Sequence, residues 1–136
     1  MNKQDKYSYW LDAAEYDIVT AESMLNSGRY LYVVFMCQQA LENLAKGLYI
    51  YFVGDEAPRV HIISYILTEV TDRLNIRVDE DIFTLLDKLS AYYLQGRYPT
   101  YKEKISKLVN KKEAMEILEK SREVFVWMQT LKKLKE

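Results

Sequence analysis

Apolar residues recur along the chain at helical spacing, in stretches separated by short polar or glycine-containing breaks. The longest stretch runs from Leu31 to Val53, LYVVFMCQQALENLAKGLYIYFV, and is apolar on almost every side for about six helical turns. Val33, Val34, Cys37, Ala40, Leu41, Leu44, Ala45, Leu48, Tyr51 and Phe52 cover one broad arc. A helix of this kind belongs in the middle of a bundle. Its polar window, Gln38, Gln39, Glu42, Asn43 and Lys46, has to be satisfied by something, because burying unpaired amides and charges is costly.

The flanking stretches supply the rest of the bundle. A first helix over Tyr7 to Leu25 puts Trp10, Ala13, Ala14, Asp17, Ala21 and Met24 on one side. Asn26-Ser27-Gly28 ends it, with Gly28 suited to a left-handed C-terminal position. The short turn makes the next helix antiparallel. Asp17 and Gln39 are equally far from Gly28, so the spacing predicts that Asp17 bonds Gln38 or Gln39 across the hairpin. A turn-rich connection, Gly54 to Arg59, leads into a third helix beginning near Val60 or His61, with Ile62, Ile63, Ile66, Leu67, Val70 and Leu74 on its inner face. Asp79-Glu80-Asp81 open a fourth helix, where the dipole favours acids. It carries Ile82, Leu85, Leu86, Leu89, Tyr92 and Tyr93 and stops before Gly96. Asn110 and Glu113 have the pattern of a capping box and start a last helix, whose core face is Ala114, Ile117, Leu118, Ser121, Val124, Phe125, Met128 and Leu131. Val126 and Trp127 point elsewhere. The expected fold is all-α, an antiparallel up-and-down bundle of four to five helices, built as one domain over residues 1–136.

Charge changes this picture locally. The net charge is −1, which implies no partner. From Asp55 to Asp87, however, there are eight acids against three bases, and from Arg97 to Lys112 six bases against one acid. The basic segment attracts an anion and the acidic one repels it. Cys37 is the sole cysteine, which excludes an internal disulfide, and its place on the apolar arc makes it a small buried hydrophobe. His61 is the sole histidine, so no His-based metal site can be completed. The chain calls for no metal and no cofactor. Its start, MNKQDK, has no signal-peptide core, and no apolar run is long enough to span a membrane. A cytoplasmic protein with no membrane contact is expected.

Two places carry candidate chemistry. Gln38, Glu42 and Lys46 step along one line at i, i+4 and i+8, and Glu42 precedes Lys46 in the favourable order for a helical ion pair. Leu31, Phe35, Tyr49 and Val53 frame that line above and below. Such framing points to a second buried surface, either another helix or a second subunit. The window is then a dimer seam or the floor of an anion-binding cleft. The second place is Arg97-Tyr98-Pro99-Thr100-Tyr101-Lys102, whose basic and aromatic composition suits contact with phosphates or bases.

In order along the chain, the landmarks are Trp10 and Asp17, F-M-C-Q-Q-A-L-E-N-L-A-K from Phe35 to Lys46, Pro58 and His61, and Tyr93 followed by Arg97-Tyr98-Pro99. This series resembles the HEPN family of small prokaryotic helical proteins over nearly the whole chain. The resemblance implies a homodimeric bundle that partners a minimal nucleotidyltransferase, often as a toxin–antitoxin pair, with a nucleotide-binding role. Carried over by position, it marks Gln39, Glu42, Lys46, His61, Arg97 and Tyr98. In the ribonuclease members an Arg is followed, after roughly four to six residues, by a His, the side chain that most readily trades protons near neutral pH. Here Lys102, Glu103 and Lys104 occupy those places.

The sequence therefore favours a non-catalytic or weakly catalytic homodimeric module that binds a nucleotide, an RNA or a nucleotidyltransferase partner. Lys46, His61, Arg97, Tyr98, Tyr101 and Lys102 would form its anion-binding surface. Asp17, Gln38, Gln39 and Glu42 would form the supporting polar window, and no residue is assigned as catalytic. The alternatives are a divergent metal-independent ribonuclease using Arg97 with His61 or a tyrosine, and a purely structural dimeric scaffold.

Overall fold

In the computed structural model, residues 1–135 are described, apart from the side chains of residues 100–102 and 135. Six helices and a final turn follow in order: α1 (Lys3–Asn26), α2 (Tyr30–Phe52), α3 (Ile63–Leu74), α4 (Glu80–Gly96), α5 (Pro99–Leu108), α6 (Lys111–Leu131) and a 3-10 turn over Lys132–Lys135. The bundle is all-helical, and α2 packs against each of the other five helices.

The central place of α2 follows from its sequence. Val33, Val34, Cys37, Ala40, Leu41, Leu44, Ala45 and Leu48 are all fully buried. A buried large aliphatic side chain contributes about 1.5–3 kcal/mol relative to exposure, so this one helix anchors the fold. Tyr51 and Phe52, at its C-terminal end, are only half-buried. That end gathers cations from other elements, as the negative end of a helix dipole favours. Lys3 and Lys132 both lie over the Tyr51 ring, Lys6 donates to the Asp55 carbonyl at 3.2 Å, and Arg73 donates to the Phe52 carbonyl at 3.4 Å.

The α1–α2 hairpin closes as its spacing predicts. Gly28 has φ +76°, and the Arg29 N–H returns to the Met24 carbonyl at 2.8 Å. The prediction for α6 also holds: all eight residues of its expected core face are buried, and Asn110 accepts from the Glu113 N–H at 2.9 Å. Val126 is exposed, but Trp127 packs partly against the core.

Two boundaries differ from expectation. The third helix starts at Ile63, so His61 lies in the extended approach to the helix rather than in its first turn. The stretch after Arg97, where the pattern marks no helix, forms α5. Pro99 stands at the first position of α5, where its fixed φ suits a helix start and its missing N–H costs nothing. Ile105 and Val109 then anchor that region in the core.

Candidate functional site

Gln38, Glu42 and Lys46 are all buried on α2. Their polar groups are satisfied within the one chain. Glu42 Oε2 accepts from Lys46 Nζ at 3.0 Å and lies 3.0 Å from His61 Nδ1. Its other oxygen, Oε1, faces the Gln38 amide at 3.4 Å. The Gln38 Nε2 also donates to the His61 carbonyl at 2.9 Å, and its Oε1 accepts from Ser90 Oγ of α4 at 3.4 Å. Gln38 thus ties down the backbone of the α2–α3 connection while Glu42 holds the ring that it carries. Ser90 is a member that the sequence pattern does not mark. Only its place on the inner face of α4 could have pointed to it.

The Glu42 contact fixes the chemistry of His61. A carboxylate has no proton to give, so Nδ1 must carry one. In the neutral ring Nε2 is then left as the acceptor. The His61 side chain is 52 % exposed, against 11 % for Glu42 and 11 % for Lys46. The imidazole is therefore the part of this network that solvent and solutes reach. Lys46 is committed to Glu42, and the two charges offset each other.

A second group of residues adjoins His61. Its ring centroid is 6.4 Å from that of Tyr93. The Arg97 guanidinium lies over the same Tyr93 ring at 6.0 Å, and Phe35 meets Tyr93 edge-on at 5.7 Å. This stack needs Gly96. A Cβ built there would stand 2.5 Å from Phe35 Cζ, so only glycine lets α4 end so close to α2. Tyr98 is 63 % exposed and caps α5 with no side-chain hydrogen bond. The side chains of Tyr101 and Lys102 lie outside the described residues. Of the residues marked in the sequence, Gln38, Glu42, Lys46 and His61 form one network, and Arg97 joins it through Tyr93.

Asp17 and Gln39 belong to a separate network. Asp17 Oδ2 accepts from Gln39 Nε2 at 3.2 Å and from Asn43 Nδ2 at 2.9 Å. It bridges α1 and α2, as the hairpin count predicts, with Asn43 as an additional donor.

In the comparison against known families, the model described as HEPN domain matches residues 7–132. The chain belongs to the HEPN family. A search of curated proteins finds no match. Among solved structures, the chain is similar to the crystal structure of TT1696 from Thermus thermophilus, at 24 % identity and a TM-score of 0.79, over 96 % of this chain and 99 % of that one. That likeness shows the helical fold. Among the described residues no helix is long and apolar enough to cross a membrane, and no cluster of His, Cys, Asp and Glu is placed to hold a metal ion. Membership of the family supports a nucleotide- or RNA-related, or partner-binding, helical module.

Proposed function

We propose that this HEPN protein binds a phosphate-bearing ligand, a nucleotide or an RNA strand, at the surface where His61, Tyr93 and Arg97 meet. The observation that carries this reading is the shared Tyr93 ring, with the Arg97 guanidinium at 6.0 Å and the His61 ring at 6.4 Å. A guanidinium forks onto phosphate oxygens. Aromatic faces accept any base by stacking, and Tyr98 offers a further exposed ring. Tyr101 and Lys102 are the sequence candidates for extending the surface. Binding is expected to be tolerant of sequence and sensitive to salt. The module acts in the cytoplasm as a homodimer and as the companion of a minimal nucleotidyltransferase, in a toxin–antitoxin-type pair.

The test is titration of the protein with labelled ATP and with short RNA, monitored by anisotropy. Wild type should bind at low salt, and Arg97→Ala should weaken binding by about tenfold, the worth of one charge-assisted contact. Absence of binding by wild type at low salt would remove the ligand reading. Co-purification with a co-expressed minimal nucleotidyltransferase tests the partner.

The Glu42–His61 contact supports a second reading, metal-independent RNA cleavage. A carboxylate that holds Nδ1–H and leaves Nε2 free is the arrangement that orients a general base, and Arg97, which shares the Tyr93 ring with His61, would serve the phosphate. RNA cleavage in chelator that is lost in both His61→Ala and Arg97→Ala would favour this reading. Equal cleavage by wild type and both variants would point to contamination.

A further inference from the structure

His61 is held by its main chain and by its ring. Its carbonyl takes the Gln38 amide at 2.9 Å, and its Nδ1 lies 3.0 Å from Glu42 Oε2. Gln38 and Glu42 are both buried on α2, so a half-open imidazole stands on a rigid, buried support. With Nδ1–H given to the carboxylate, the lone pair of the neutral ring sits on Nε2. Bracing the α2–α3 connection uses the carbonyl and Nδ1. Among the described residues no hydrogen bond engages Nε2, and the side chain is 52 % exposed.

The surroundings of the ring suit a phosphoryl group. Helix α3 begins two residues further on, and its first turn has neither a side-chain cap nor an acid. Its uncapped N–H groups and positive dipole end favour an anion. The Arg97 guanidinium, which shares the Tyr93 ring with His61, would fork onto the phosphoryl oxygens. Phosphoryl transfer asks little of a protein beyond a positioned acceptor and donors for the oxygens of the group in flight.

We propose that His61 Nε2 is a phosphoryl acceptor, which makes His61 a site of covalent modification. The donor carries its phosphoryl group on a good leaving group, as an acyl phosphate or a nucleoside triphosphate does. The Nε2 lone pair forms the N–P bond. The P–O bond to the carboxylate or diphosphate breaks, and that group departs with the bonding pair. Nδ1 keeps its proton, and the positive charge gained by the ring strengthens its hydrogen bond to Glu42. Glu42 is a positioning residue: it fixes the tautomer and exchanges no bond. This inference rests on the phosphate-binding reading above and adds a covalent step to it. It differs from RNA cleavage, in which Nε2 takes a proton and forms no bond to phosphorus.

The test is incubation of the protein with acetyl phosphate in one arm and with magnesium-ATP in the other, followed by intact-mass spectrometry and phosphorus NMR. One phosphoryl group should be gained, lost in acid and kept in alkali as an N–P bond is, whereas a phosphate ester survives acid. The arm that labels identifies the donor. His61 is the sole histidine, so His61→Gln should abolish the label, with helical circular dichroism unchanged because the ring is half-exposed. The same chain unfolded in urea measures the intrinsic reactivity of its imidazole. The folded protein should label at least about tenfold faster, and Arg97→Ala should slow it by about tenfold. Equal rates in the folded and unfolded chain, a label that survives acid or persists in His61→Gln, or no label from either donor would overturn the proposal. ATP binding without any label would overturn this inference alone and leave the phosphate-binding reading standing. Labelling of His61 by acetyl phosphate without ATP binding would remove the nucleotide and keep the phosphoryl site.

Discussion

His61 Nδ1 lies 3.0 Å from Glu42 Oε2, and the same oxygen takes the Lys46 ammonium at 3.0 Å. One carboxylate therefore serves two cationic or potentially cationic groups, one buried and one open to solvent. The two sides of the pair are not equivalent. Removing Glu42 leaves the buried Lys46 charge without its partner, whereas removing Lys46 leaves Glu42 with His61 and Gln38 as donors.

Glu42→Ala should accordingly destabilise the protein by about 3–5 kcal/mol, the usual cost of orphaning one member of a buried pair. Lys46→Met keeps the apolar stem and should cost clearly less. Urea denaturation of both variants measures the difference. Equal losses would show that the carboxylate is held by Lys46 alone and that its contact with His61 carries no stability.

Gly96 and Gly28 should fail on substitution for different reasons. At Gly28 the added Cβ meets nothing within 4 Å, but φ is +76°. Gly28→Ala therefore incurs backbone strain of about 1–2 kcal/mol and should leave ligand binding unchanged. At Gly96 the new atom meets the Phe35 ring, which leans on Tyr93. Gly96→Ala should cost about 1–3 kcal/mol through overpacking and also displace Tyr93 and Arg97. Nucleotide titration separates the two. A Gly96→Ala protein that binds as wild type does would mean that the Phe35–Tyr93 stack does not position Arg97.

Much of this is legible in the sequence because it obeys short-range rules. The eight inward residues of α6 share one helical face, and the Asp17–Gln39 bond follows from counting both residues outward from Gly28. What escapes a sequence reading depends on long-range packing. The pattern of isoleucines begins at Ile62 and draws His61 into the start of α3, while the His61 carbonyl is taken by the Gln38 amide, 23 residues away, and Ile62 is extended. Helix α5 goes unmarked in the sequence pattern because its polar composition masks a single inward anchor pair, Ile105 and Val109.

Asp17 offers a test of the hairpin register. Its carboxylate is buried and accepts from both Gln39 and Asn43. Asp17→Ala leaves the half-buried Asn43 amide without its acceptor, while the exposed Gln39 amide turns to water, and should cost about 1 kcal/mol. Adding Asn43→Leu to that change removes the orphaned group and should recover part of the loss. Thermal melts of the single and double variants decide it. A double variant less stable than Asp17→Ala would show that the Asn43 amide finds another partner once Asp17 is gone.

Cys37 gives the chain a slope of stability at alkaline pH. Burial among apolar side chains raises its thiol from 9.0 to about 11. The Ser121 hydroxyl, fully buried and without a well-formed hydrogen bond of its own, pulls the other way to a lesser extent. Between these two values the unfolded chain has released the thiol proton and the folded chain has kept it. The unfolded state then binds fewer protons, so stability falls as pH rises through this window. Two units of difference correspond to about 2–3 kcal/mol, present in full below the lower value and lost above the upper one. Lys88, held above the ordinary lysine value by its hydrogen bond to Glu113, adds a slope of the same sign at higher pH, reduced because its side chain is 41 % exposed. Cys37→Ala should start lower at neutral pH, by about 1 kcal/mol for the small void it leaves, and then lose stability more gently than wild type as the solution is made alkaline. Urea midpoints across about pH 8 to 11 compare the two proteins. Parallel curves would show that the thiol ionises without hindrance in the folded state, and that the α2–α6 interface around it admits water.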